Sequence, residues 1–142
     1  TLPLWTPGEV RLLDESLDYA ARVSQGTVCE FLAAPAEPAA GSARHIEMAV
    51  EFFIPPCSLV KFTDELDRAM MRRSLGYSSA RRSGSATPVR VTALSPSVFH
   101  QWRMAWRIDP QAQRERRWSS DRRMLDQVLL YAQSGWRELF SI

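Results

Sequence analysis

Asparagine is absent from this 142-residue chain and lysine occurs once, at Lys61, whereas arginine occurs 17 times. A GC-rich coding sequence produces the same bias, so the arginine count by itself carries no functional weight. Cysteine is scarce. Cys29 and Cys57 are the only two, which excludes the disulfide-dense scaffold of a small secreted domain, and both thiols read as small residues of an apolar core. No apolar run approaches the roughly 20 residues that span a bilayer, and no basic-then-apolar leader precedes a cleavage site. The chain therefore reads as soluble and cytoplasmic, with no membrane partner. The motifs G-x-x-x-x-G-K-[ST], G-x-G-x-x-G and G-x-S-x-G are all missing, which removes the anchors of phosphate-loop, dinucleotide and hydrolase-elbow chemistry. Cys29, His45, Cys57 and His100 share no C-x-x-C or H-x₃-H spacing, so neither a zinc centre nor a Cys57–His100 nucleophile and base is supported. No cofactor, metal or small-molecule substrate is expected, and the reading is non-enzymatic.

What is present is a strong charge asymmetry. Residues 1–67 carry 11 acids and 4 bases, a net −7, while residues 68–142 carry 5 acids and 14 arginines, a net +9. Base composition does not sort arginines to one end of a chain. A basic half of this kind meets an anionic polymer, or it pairs with an acidic half in its own or a neighbouring chain. With 45% apolar residues and five tryptophans, the chain has enough material for one domain, or for two small halves sharing a core.

The pattern along the chain is mainly helical. Thr6-Pro7-Gly8-Glu9 has capping-box spacing, and Val10, Leu13, Leu17, Ala20 and Ala21 form one apolar helix stripe that stops at Gly26. Residues 1–26 are thus an N-terminal helical extension. Thr27 to Ala33 reads as a short strand. Residues 41–54 fit two periods: Ile46, Met48, Val50, Phe52 and Ile54 alternate as in a strand, whereas Ile46, Ala49, Val50 and Phe53 share a helix face. Ser58 caps a helix carrying Leu59, Phe62, Leu66, Ala69 and Met70, and residues 77–87 (YSSARRSGSAT) read as a polar tether. In TPVRVTALSPSVFHQW the strand Val89–Leu94 runs into a helix from Pro96 to Ile108. Asp109-Pro110 breaks it, and Ser119 or Ser120 caps a last helix before an apolar tail of Trp136, Leu139, Phe140 and Ile142.

Strand, helix, proline break, helix is therefore written twice, over 27–76 and 88–142. Together with VCEFLAAPAEP before the first helix, MMRRSLG ending the second and the Asp109-Pro110 break, this order resembles the ribbon-helix-helix DNA-binding family. The form it resembles is the single-chain pseudo-dimer of the overdrive-binding virulence proteins of plant-tumour plasmids. The resemblance implies a mainly α fold with one two-stranded antiparallel ribbon, and makes residues 44–54 a helix; an α+β fold with a small antiparallel sheet is the alternative. It also implies a double-stranded DNA-binding accessory of T-DNA transfer, plasmid maintenance or transcription, working beside other plasmid-transfer or partition proteins.

In such a ribbon Val89, Val91 and Ala93 cover the core, and Arg90 and Thr92 face base edges. Ser119, Ser120, Arg122 and Arg123 would hold the phosphate backbone at a helix start, with Arg81 and Arg82 of the tether in the same DNA-binding set. Glu30, on the outer face of the first strand, would accept from a cytosine amine. Trp102 and Trp106 read as core by their helical spacing, while Trp118 is freer to stack on bases. The competing reading is a protein-interaction adaptor or secretion chaperone whose acidic and basic halves pair with each other or with partner subunits.

Overall fold

The computed structural model describes residues 3–36 and 42–135. The apolar tail expected from Trp136 onward, and the proline-alanine stretch after residue 36, lie outside the described residues. The chain runs α1 (Val10–Val23), β1 (Thr27–Ala36), β2 (His45–Ile54), α2 (Leu59–Arg73), α3 (Leu75–Ser83), β3 (Arg90–Leu94), α4 (Val98–Trp106), α5 (Pro110–Glu115) and α6 (Arg123–Leu130). A single turn at Pro7–Glu9 leads into α1, where the Thr6 hydroxyl donates to the Glu9 carboxylate at 2.9 Å.

The tandem ribbon-helix-helix expectation is overturned. The fold is α+β, with a three-stranded mixed sheet ordered β1-β2-β3. β1 pairs antiparallel with β2, and β2 pairs parallel with β3, so β1 and β3 never meet. Between them lies the segment that the resemblance made a helix. Its alternating residues Ile46, Met48, Val50 and Phe52 are buried on one face, and His45, Ala49 and Glu51 are buried on the other. A central strand covered on both sides loses the plain alternation of burial, which is why residues 45–54 also mimic a helix face. The parallel step to β3 needs a crossover, and α2 and α3 supply it. Most of the expected tether is thus α3: Ser74 accepts from the Tyr77 amide at 3.2 Å, and Gly84 closes the helix in the left-handed region at φ 81°.

Helices cover both faces of the sheet. On one, Leu13, Leu17 and Ala20 of α1, Phe62, Leu66 and Met70 of α2 and Tyr77 of α3 pack on Phe31, Ala33, Ile46, Met48, Val50 and Phe52. Trp5 joins them, with its ring edge-on to Tyr77 at 5.9 Å. On the other face, Val98, Phe99 and Trp102 of α4 and Leu125 and Val128 of α6 pack on Leu32, Ala34, Ala49 and Leu94. The outer edge of β1 is closed by the chain at Arg117–Ser119: Ala33 donates its amide to the Arg117 carbonyl at 2.7 Å and accepts from the Ser119 amide at 3.2 Å.

Where α1 turns into β1, Gly26 lies against the end of β2. A Cβ there would stand 2.9 Å from the Ile54 carbonyl oxygen and 2.9 Å from the Pro56 nitrogen, both backbone atoms that cannot rotate away. Gly26→Ala is expected to cost about 1–3 kcal/mol by overpacking, seen as a lower urea midpoint. Gly8→Ala, with nothing within 4 Å of the added carbon, should leave the midpoint no lower.

Candidate interaction surface

Part of the charge asymmetry is spent inside the molecule. Arg117 reaches back 87 residues to clamp Glu30, with Nε 2.9 Å from Oε1 and Nη2 3.4 Å from Oε2, and its guanidinium lies over the Phe31 ring at 5.6 Å. Arg122 bonds Glu47 on β2, the Pro35 carbonyl at 3.0 Å and Asp126 at 2.9 Å. Arg81 holds Asp67 through Nε at 3.1 Å and Nη2 at 2.9 Å. Each of these three pairs joins an acid of residues 1–67 to an arginine of residues 68–142. The basic half therefore anchors to the acidic half of its own chain.

Several residues expected at DNA are thereby committed elsewhere. Arg81, Arg122 and Glu30 are in those pairs. Arg123 folds onto Asp121, with Nη2 2.7 Å from Oδ2, and the Asp121 carboxylate also accepts the Arg123 amide at 3.0 Å. The Ser119 hydroxyl accepts from the Asp121 amide at 3.1 Å. The expected phosphate site at the start of the last helix thus carries a carboxylate on its amides, and α6 begins at Arg123 rather than beside Ser120. Ser120 and Arg82 are exposed.

Asp67 is the hub that fixes β3. Besides Arg81, it accepts from the Tyr77 hydroxyl and from the Val89 amide at 3.3 Å. Burial, then the bond to Asp67, pushes the Tyr77 hydroxyl far above its ordinary value, so the phenol stays protonated. Removing the carboxylate leaves a partly buried guanidinium, a buried phenol and a backbone amide without their acceptor. Asp67→Ala should cost about 3–5 kcal/mol, whereas truncating the exposed Arg123 should leave the urea midpoint unchanged within error.

Arg90 and Thr92 are exposed on β3 and lie on one face of it, in register with Glu47 and Ala49. The expectation that Val89 and Val91 turn to the core holds, but Ala93 is exposed. No strand pairs with the outer edge of β3 among the described residues. Arg90 makes no ion pair among them either, because Glu47 beside it is taken by Arg122.

Next to this edge, His45 is only 8% exposed and its Nε2 has no hydrogen-bond partner. Burial, then the Arg90 guanidinium and more weakly Arg122, hold the imidazole below its ordinary 6.5, with Glu47 pulling the other way. The folded chain thus favours the neutral ring. Stability that is complete above the unfolded value is lost as pH falls through the lowered folded value. The urea midpoint should fall between about pH 7.5 and pH 5.5, and His45→Phe should flatten that part of the profile.

Sequence reasoning missed the exposed apolar side chains: Phe53 is 76% exposed, Val60 72% and Ile54 49%. For Phe53 the signal was the run Phe52-Phe53-Ile54, where strand alternation turns the middle residue away from the face of Phe52; Ile54 and Val60 had no such signal. Cys29 and Cys57 are exposed, not core, because Cys29 sits at a register shift of β1 and Cys57 lies beyond the Pro55-Pro56 turn. Trp118 is buried against β1 and Trp106 is half exposed, the reverse of the expected order. A cavity of about 900 Å³ is lined by Gly76, Ser79, Ala80, Ser83 and Ser85 of α3 and its turn, and among the described residues Arg44 is its one ionisable lining group. No group of three or more potential metal ligands forms among the described residues, and none of their helices is long and apolar enough to cross a membrane. Comparison with the models of known protein families and with curated proteins gives no match to this chain.

Proposed function

We propose that this chain is a non-enzymatic protein-interaction domain acting in the cytoplasm, and that it binds partners at the surface around β3. The observation that carries this reading is the open edge of β3, five residues of strand with Arg90, Thr92 and Ala93 exposed and no strand paired on the outer side among the described residues. An unpaired strand edge presents a row of backbone donors and acceptors to another chain. The exposed Phe53, Ile54 and Val60 add the apolar area that partner surfaces use.

The non-enzymatic part rests on where the buried carboxylates go. Glu51 accepts from the Phe99 amide at 3.0 Å, Asp67 ties three groups together, and Glu30 and Glu47 are held by arginines. These acids do structural work. The duplex-DNA reading, with its role in T-DNA transfer, lacks the paired ribbon that would read bases, and Arg81 and Arg122 of its phosphate-holding set are paired with Asp67 and Glu47.

Selection of random peptides displayed on phage against the full chain, followed by titration of the winners, should give saturable 1:1 binding. In parallel, a short DNA duplex at about 50 mM salt should show no saturable binding. Tight duplex binding that weakens steeply with salt, without any selected peptide, would overturn the proposal.

A further inference from the structure

The edge of β3 has a direction, a chemistry and a wall. The amide of Val89, one residue before β3, is not used by β2, since it donates to Asp67 on α2. Val89 and Val91 turn their side chains to the same core, so the alternation of an extended chain runs on through β3. The N–H and C=O groups of Val91 and Ala93 are then the ones facing outward, while Arg90, Thr92 and Leu94 point theirs at β2.

The wall is α2. Its Asp67 end meets Val89, and its other end meets the far end of the sheet, where Phe62 packs edge-on to Phe52 at 4.9 Å and Leu94 lies level with Glu51. From Asp67 back to Val60 is about 10.5 Å of helix, and from Val89 to Thr92 is about 10 Å of strand. Val60 and Thr63 share the Asp67 side of α2, so the exposed Val60 stands level with Thr92 and Ala93. Asp64 lies further round, toward solvent.

The two faces of the edge therefore differ. On the α2 side a side chain meets Ala93 and Val60, both apolar and exposed. On the opposite side it meets Thr92 and the guanidinium of Arg90, which has no ion pair among the described residues. At the entrance Arg81 is paired with Asp67, and Glu47 beside Arg90 is held by Arg122, so Arg90 is left without an ion pair among the described residues.

We propose that the outer edge of β3 takes up an extended segment of a partner protein as a fourth strand. Its side chains alternate between carboxylates facing Arg90 and Thr92 and apolar groups facing Val60 and Ala93. This rests on the protein-interaction reading and narrows it to one strand and one partner chemistry. Backbone bonds supply the pairing, and the two faces select for alternation, not for acidity alone.

Fluorescence polarisation with the full chain tests this, using three labelled peptides: alternating glutamate and valine, the same composition in two blocks, and alternating lysine and valine. The alternating acidic peptide should bind at least about tenfold tighter than the other two. Arg90→Glu should transfer the preference to the lysine peptide. Ala93→Pro removes an outward amide that β2 does not use, at a position where an edge strand tolerates proline, and should abolish binding with the circular dichroism unchanged. If that variant fails to fold, N-methylation of the acidic peptide at alternate residues removes the same bonds from the ligand side, and should abolish binding in one phase and not in the other.

Binding of selected peptides that ignores Ala93→Pro, Arg90→Glu and the N-methyl pattern would sink this inference and leave the broader reading standing. Loss with Ala93→Pro but no change of charge preference with Arg90→Glu would overturn the acidic partner. Dimers that Ala93→Pro converts to monomers would make the edge a seam between copies, against the proposal. Duplex DNA binding without any peptide binding would remove both readings.

Discussion

Burial of β2 on both faces is the constraint on which the rest of the structure depends. A strand between two layers of helices can bury Ile46, Met48, Val50 and Phe52 on one side and Ala49 on the other, each large side chain contributing roughly 1.5–3 kcal/mol relative to exposure. The same position encloses His45, Glu47 and Glu51, whose polar atoms lose water. Every such group needs a partner, and the partners come from the second half of the chain: Arg122 for Glu47, and the Phe99 amide for Glu51. His45 stays neutral instead.

The ion pairs across the two halves follow from that placement. Glu30, Glu47 and Asp67 are all at least half-shielded from solvent, and each meets an arginine from beyond residue 80. The arginines fix segments as well as charges. Arg117 brings its chain along the outer edge of β1, Arg122 seats the start of α6 on the sheet, and Arg81 with Tyr77 locks α3 against α2 at the point where β3 begins. One edge of the sheet is closed in this way, and no strand among the described residues pairs with the other. Part of the asymmetry that looked like an address for an anionic polymer is internal.

The open edge gives Arg90 and Thr92 a different meaning from the one a ribbon would have given them. Their outward aim, inferred from alternation with Val89 and Val91, is what the structure has. What they face is decided by their neighbours. A ribbon needs β1 on the other side of β3, and β2 lies between the two strands, so the exposed face belongs to a sheet edge beside α2.

Local chemistry was legible wherever a single residue fixes a backbone state. The Ser58 cap and the apolar stripe of α2, the stripe of α1, the Asp109-Pro110 break after α4 and the strand ending at Leu94 were all readable from sequence, because caps, prolines and periodicity act within one or two turns. Strand partners, the choice of strand for residues 45–54, the helix made of the polar segment 75–83 and the pairing of each arginine were decided by tertiary structure alone. The β2–β3 pairing and the long arginine contacts depend on surfaces that meet over separations of 43 to 87 residues, and the free energy that selects among them is burial and charge neutralisation, which no local window of sequence contains.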